Sequence, residues 1–311
     1  MRDLHRRLAR LACGVQLDAA EVERAEFGPA TAAAVADFQR SRHLLSSGRC
    51  DRQTWSALVE AGYSLGDRLL YLRAPMVRGD DVASLQHALG SRGFHAGRVD
   101  GIFGPVTSAA LAEFQRNLGL PPDGICGPDT VSALSRLGRR AADTLVGVVR
   151  EAESHRRRLR ELALVRVAVG RSAGLEVVGE ASARELTGIG VSAYALDAPD
   201  PSAQAQQANR LRIDAFVGFA VHESPGQDSA VVVAYYSTPG YESARGRSLA
   251  ASVSRCLGDV EVVGIRWPAL RETSMPAVVV FLDTYGIAKR VPQLAGAVAR
   301  AVAAWWTAEE P

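Results

Sequence analysis

The sequence predicts a multidomain protein: two small three-helix units in tandem, then an α/β three-layer domain with a mostly parallel sheet. Three observations carry this. A pattern of Gly-Pro turns feeding amphipathic helices occurs twice, 76 residues apart. Beyond Leu164 it gives way to short apolar runs alternating with helical stretches. Between the two lies an Arg-rich segment with neither pattern.

The repeat is the firmest feature. Glu26 to Arg40, EFGPATAAAVADFQR, aligns with Ile102 to Arg116 inside VDGIFGPVTSAALAEFQR, and the register holds without a gap through Leu58 and Leu134. Phe27, Gly28, Pro29, Thr31, Phe38, Gln39, Gly48, Cys50 and Thr54 match Phe103, Gly104, Pro105, Thr107, Phe114, Gln115, Gly124, Cys126 and Thr130. Chance does not keep register that long. Asp100-Gly101 is a turn pair whose glycine supplies positive φ, and Gly104-Pro105 presets the first turn of a helix. Val106, Ala110, Phe114 and Leu118 then recur every four residues, as an apolar helix face should. Pro122-Asp123-Gly124 makes a second turn, and Gly127-Pro128-Asp129 opens a last helix with Val131 and Leu134 inward.

In chain order, residues 1–62 form the first repeat, with Leu4, Leu8 and Leu11 on one face of its opening helix. Residues 63–138 hold a linker and the second repeat, where Asp80 or Asp81 caps the helix of Val82, Leu85 and Leu89. Residues 139–163 read as an Arg-rich helical linker; Arg136 to Arg166 holds nine Arg against four acidic residues. Its Arg156-Arg157-Arg158 run is a solvated helix face or a contact for phosphates or an acidic partner, and without interleaved aromatics it gives no support for nucleic-acid binding. Residues 164–311 form the α/β domain. Buried strands are expected at 164–169, 191–196, 215–221, 230–236, 260–265 and 277–282, with helices at 176–186, 203–211, 242–257 and 292–306.

Composition excludes several classes. The 311 residues are 47% hydrophobic with a net charge of +2, which gives no global drive toward nucleic acid or membranes. Lys289 is the only lysine. The opening MRDLHRRLARLACGVQL lacks an apolar core of signal-peptide length, since Arg7 and Arg10 interrupt it, and no later stretch of eighteen apolar residues implies membrane insertion. A cytoplasmic location is therefore expected. The cysteines at 13, 50, 126 and 256 have no Cys-x-x-Cys spacing and read as buried free thiols.

The repeated unit, DG-x-x-G-P-x-T with a helix ending in FQ and a second DG-x-x-G-P-x-T, resembles the peptidoglycan-binding domain 1 family. The second copy matches almost throughout. The first is eroded: no Asp-Gly precedes Phe27, and Ser47-Gly48 and Asp51 replace the second Asp-Gly and Gly-Pro. The resemblance implies a groove for glycan or stem peptide in the second repeat near Asp100, Gly101, Phe103, Asp123 and Gly124. The alternative is that these glycines and aspartates only shape turns.

Three segments of the α/β domain, IDAFVGFAVHES from Ile213, AVVVAYYSTPGYESARGRSLAASVSRCL from Ala230 and LRETSMPAVVVFLDTYG from Leu270, resemble the zinc-dependent N-acetylmuramoyl-L-alanine amidases of the amidase 3 type. Such enzymes hold zinc with two His and a Glu, leave a position open for water, and use a further Glu as base. Carried over residue by residue, Arg171 stands at the first His position, Ala220 at the second, and Phe281 at the catalytic Glu; only Glu176 matches a ligand. His222 lies two residues beyond Ala220, about 7 Å along a strand, and is the domain's only histidine. Asp214, Glu223 and Asp283 supply acidic groups away from where the family places its chemistry.

Two repeats, a linker and an amidase-like domain together resemble the actinobacterial CwlM-type proteins. The resemblance implies a catalytically silent, peptidoglycan-binding regulator or scaffold of cell-wall synthesis, not an enzyme, that contacts a peptidoglycan fragment or precursor or a wall-synthesis protein. No cofactor is expected. One alternative is a true zinc amidase cleaving the bond between muramic acid and the stem peptide; another is an exported, wall-anchored binding protein whose start lies upstream.

Overall fold

The computed structural model describes residues 1–11, 17–136, 162–198, 200–221, 231–238, 241–283 and 287–308. The chain divides into two compact units, Met1–Ser41 with Ser46–Arg158, and Arg42–Leu45 with Leu159–Pro311.

In the first unit, the first repeat contains α1 (Arg2–Arg10), α2 (Ala19–Arg24), α3 (Pro29–Ser41) and α4 (Arg52–Glu60). The second contains α5 (Asp80–Gly90), α6 (Pro105–Asn117) and α7 (Pro128–Arg136). The second repeat has the three helices expected; the first has an additional short one. Asp18 caps α2 by accepting from the amides of Ala20 at 2.8 Å and Glu21 at 3.0 Å. This extra turn occupies the stretch where the first repeat lacks an Asp-Gly pair, and it carries Glu21 to the start of α3.

Two local expectations need correction. Asp80 and Asp81 lie in the first turn of α5, whose N-cap is Gly79 with no side-chain cap. Asp81 is buried instead, and its carboxylate accepts from Arg68 Nε at 2.7 Å. Val106 on α6 and Leu118 at its C-cap are exposed, and the buried face is Thr107, Ala110, Leu111, Phe114 and Gln115. Steps of four overshoot a 3.6-residue turn, so a strict four-residue stripe rotates out of the core at both ends, whereas mixed steps of three and four stay on it.

The second unit contains a sheet of β1 (Arg166–Arg171), β2 (Ser192–Ala195), β3 (Ala215–Val221), β4 (Val232–Thr238), β5 (Tyr241–Glu242), β6 (Glu261–Ile265) and β7 (Ala277–Leu282). The order is β2-β1-β3-β7-β4, with β6 and the short β5 both pairing β4. β2, β1, β3 and β7 are parallel; β4 runs antiparallel to β7 and parallel to β6. The sheet is therefore mixed but mostly parallel. Its helices are α8 (Glu176–Gly188), α9 (Pro201–Arg210), α10 (Ala244–Cys256), α11 (Pro268–Glu272) and α12 (Ile287–Thr307).

Alternation along the strands feeds two cores. Val167, Val169, Val217, Phe219, Val278 and Val280 pack with α8, α10 and α12 on one face. Ala168, Phe216, Ala220, Val279 and Phe281 pack with α9 and α11 on the other. Both faces of β3 and β7 are covered, so these strands read as unbroken apolar runs. The first strand begins two residues later than expected because Leu162–Leu164 forms a 3₁₀ turn. Apart from its last two residues, the Arg-rich linker of 139–163 lies outside the described residues, as do Cys13, His222 and Glu223. Of the three described cysteines, all free, only Cys126 is buried; Cys50 and Cys256 are half-buried.

Candidate functional site

Each Asp-Gly turn of the second repeat is clamped by a buried glutamine from a helix. Gln86 Nε2 donates to Asp100 Oδ1 at 2.8 Å, the Ile102 carbonyl at 3.1 Å and Thr107 Oγ1 at 3.2 Å. Its Oε1 accepts from the amides of Asp100 at 3.1 Å and Gly101 at 2.8 Å. Gln115 repeats this in the last turn: Nε2 donates to Asp123 Oδ1 at 2.9 Å, the Ile125 carbonyl at 2.9 Å and Thr130 Oγ1 at 3.2 Å, and Oε1 accepts from the Gly124 amide at 2.9 Å. One buried side-chain amide thus pairs turn amides that would otherwise be stranded and adds a donor to the turn's acceptors. Gly101 and Gly124 both sit at φ 69°, the left-handed region their turns require.

The five residues expected to form a groove are therefore committed to the fold. Asp123 is exposed, but its carboxylate also accepts from the Ile125 amide at 2.9 Å. That bond, followed by the one from Gln115, holds it below the usual carboxylate range. Phe103 is fully buried beside Leu85, Leu111 and Phe114 and presents no surface to a ligand. The bonds made by Asp100, Gly101, Asp123 and Gly124 are those the turn-shaping alternative expects.

The eroded repeat keeps the device with other residues. Gln39 Nε2 donates to Ser47 Oγ at 3.2 Å, the Arg49 carbonyl at 2.9 Å and Thr54 Oγ1 at 2.8 Å, and Oε1 accepts from Gly48 at 2.9 Å. Ser47 stands in for Asp123. At the first turn, the Glu21 carboxylate accepts from the amides of Gly28, Ala30 and Thr31 at 3.2, 3.0 and 2.8 Å and from Thr31 Oγ1 at 2.6 Å. The Thr31 hydroxyl is the main cause that lowers its pKa. These glutamines and Glu21 went unassigned in the sequence; the signal was Gln39 and Gln115 at the same distance, eight residues, before Ser47 and Asp123.

In the second unit, the amidase positions fall on neighbouring strand ends. Arg171 ends β1 opposite Phe219, and Ala220 on β3 stands opposite Phe281 on β7. Arg171 Nη2 lies 3.4 Å from Asp197 Oδ1, and its stem rests against α8 at Gly179, where any larger side chain would meet it. The ion pair is exposed on the Asp197 side and contributes little. Gln204 Nε2 donates to the Arg171 carbonyl at 2.6 Å, which ties the end of β1 to α9. Ala220 and Phe281 are buried, and the Phe281 ring meets Trp267 edge-on at 5.1 Å.

Zinc requires neutral imidazole, thiolate or carboxylate donors. A guanidinium, a methyl and a phenyl ring supply none, so these positions do not fit the metal the resemblance implies. Glu176 alone has a donor. It accepts from the Gly174 amide at 3.1 Å, and its pKa is lowered first by its own backbone amide, then by Gly174 and the Arg171 charge. Asp214 is occupied too, accepting from the Arg166 amide at 3.0 Å. Among the described residues, no three of His, Cys, Asp and Glu converge as metal ligands. No helix among them is long and apolar enough to cross a membrane.

Comparison with known proteins places both units. The peptidoglycan binding domain family matches residues 1–58 and 78–134. The spore cortex-lytic enzyme of Bacillus cereus is 48% identical over 56 residues, 18% of this chain and 22% of that protein. Among solved structures, Ami1 from Mycobacterium smegmatis is similar at 16% identity and TM-score 0.40 over 47% of this chain and 99% of its own. AmiC2 of Nostoc punctiforme is similar at 19% identity and TM-score 0.38, over 46% and 98%. N-acetylmuramoyl-L-alanine amidase CwlM of Mycobacterium tuberculosis is 34% identical over 279 residues, 79% of this chain and 68% of that protein. With its two peptidoglycan-binding repeats and amidase-like α/β domain, the chain belongs to the CwlM family.

Proposed function

We propose that this chain is a catalytically silent member of its family that binds peptidoglycan fragments or precursors, or a protein of wall synthesis, and acts through those contacts as a regulator or scaffold. The observation that carries this reading is the set of side chains at the ends of β1, β3 and β7. A permanent cation stands at the first ligand position, and two buried apolar residues stand where a ligand and a base are needed. No cofactor belongs to this reading. The match of both repeats to the peptidoglycan binding domain family supports peptidoglycan as a partner.

The similarity to N-acetylmuramoyl-L-alanine amidase CwlM favours a second reading, hydrolysis of the amide between muramic acid and the stem peptide. Sedimentation with purified insoluble peptidoglycan, followed by mass spectrometry of the supernatant, separates the two. The silent reading expects co-sedimentation without released stem peptide. Released peptide overturns the silence, and failure to sediment overturns direct wall binding.

A further inference from the structure

The second repeat carries an apolar strap on its outside. Leu70 pairs antiparallel with Cys126 through backbone hydrogen bonds of 3.3 and 2.8 Å, and both side chains are buried. Side chains alternate across such a pair, so Leu69 and Tyr71 point outward beside Gly127 and Ile125. Leu69 lies against Gly127. Farther along, the Val77 carbonyl accepts from the Phe103 amide at 2.9 Å and the Val77 side chain is buried, which turns Met76 outward over Gly104. Leu69, Tyr71, Leu72, Met76 and Ile125 are 55, 41, 46, 45 and 37% exposed. Single exposed apolar residues need no explanation, but five along one strap mark a contact surface. Among the described residues, residues 71–76 make no backbone–backbone hydrogen bond, which leaves amides and carbonyls open beside those side chains. The strap precedes residue 78, where the family match to this repeat begins. At the aligned positions of the first repeat, Arg49 and Asp51 replace Ile125 and Gly127, so that edge is charged.

We propose that this strap is the face on which the second repeat holds the N-acetylated glycan of peptidoglycan. It rests on the peptidoglycan binding proposed above, and it commits that binding to one repeat and to the sugar rather than the stem peptide. A pyranose presents an apolar C–H face, which stacks on the Tyr71 ring. Acetamido methyl groups sit among Leu69, Leu72, Met76 and Ile125, and acetamido N–H and C=O groups bond the open backbone of the strap. The stem peptide carries carboxylates, whereas Arg73 is the one charge between Leu69 and Met76. A neutral sugar fits such a face better than a charged peptide.

The test is co-sedimentation of the full chain with insoluble peptidoglycan, with and without tetra-N-acetylchitotetraose as soluble competitor. Wild type is expected to sediment and to be displaced by the sugar. Tyr71→Ala and Leu72→Asp, both at exposed positions, are expected to weaken sedimentation about ten-fold, while Arg73→Ala and Arg49→Ala leave it unchanged. Saturation-transfer NMR should show transfer to the acetyl methyl protons of the sugar with wild type and not with Tyr71→Ala. If wild type sediments and both strap variants sediment equally well, the strap is not the site and wall binding stands. If wild type itself fails to sediment, wall binding falls and the strap proposal with it. Displacement by free stem peptide but not by the sugar, or a larger loss for Arg73→Ala than for Tyr71→Ala, assigns the face to the stem peptide. Self-association abolished by Leu72→Asp assigns it to a second copy, and either result overturns the proposal.

Discussion

Ala220 and Phe281 stand directly opposite one another on the parallel strands β3 and β7, both buried and both facing α9 and α11. In an amidase of this type, the resemblance would put a zinc ligand and the catalytic base at these positions. Here the pair closes a hydrophobic layer that continues through Trp267. At these two positions the strands carry packing residues where the resemblance implies chemistry.

Phe281→Ala tests that packing. The ring is fully buried, so its removal is expected to destabilise the second unit by about 3–5 kcal/mol in urea denaturation. A cost near zero would mean the ring is not part of a packed core.

Gln115→Leu keeps the shape of the helix face but strands the buried Gly124 amide. The expected loss is about 1–3 kcal/mol, with faster hydrogen exchange at Gly124. Unchanged exchange would show that water replaces the clamp.

Glu21 gives the first repeat a pH dependence. Its pKa is lowered in the folded state, so the carboxylate stabilises fully above its unfolded value, near 4.5, and that contribution is lost as pH falls through the lower folded value. Wild type should be more stable than Glu21→Gln at pH 7, and the difference should shrink below about pH 4.5. A difference that grows on acidification would reverse the assignment.

Burial pushes the Cys126 thiol up to about 12, so almost no thiolate forms at pH 8. Iodoacetamide should label Cys126 only after denaturation and half-buried Cys50 sooner. Equal labelling in the folded chain would show that the second repeat opens readily.

Much of the architecture was legible because it rests on repetition and period. The register from Phe27 to Leu58 announced the tandem units, and the apolar runs of β3 and β7 marked a sheet covered on both faces. The direction of β4 was not legible, since a buried strand has the same composition whichever way it runs. The short α2 and α11 fall below the length at which periodicity is informative. In the candidate site, the missing donors were visible as Arg171, Ala220 and Phe281. The roles of Asp100 and Asp123 were not, because a turn carboxylate and a ligand carboxylate look alike until Gln86 and Gln115 are seen bonded to them.

The central claim is that the ends of β1, β3 and β7 hold neither zinc nor a catalytic base. The direct measurement is elemental analysis of the full chain after zinc loading and desalting, with the same sample assayed for stem-peptide release from soluble peptidoglycan fragments. The account predicts substoichiometric zinc and no released peptide. Stoichiometric zinc together with turnover would contradict it.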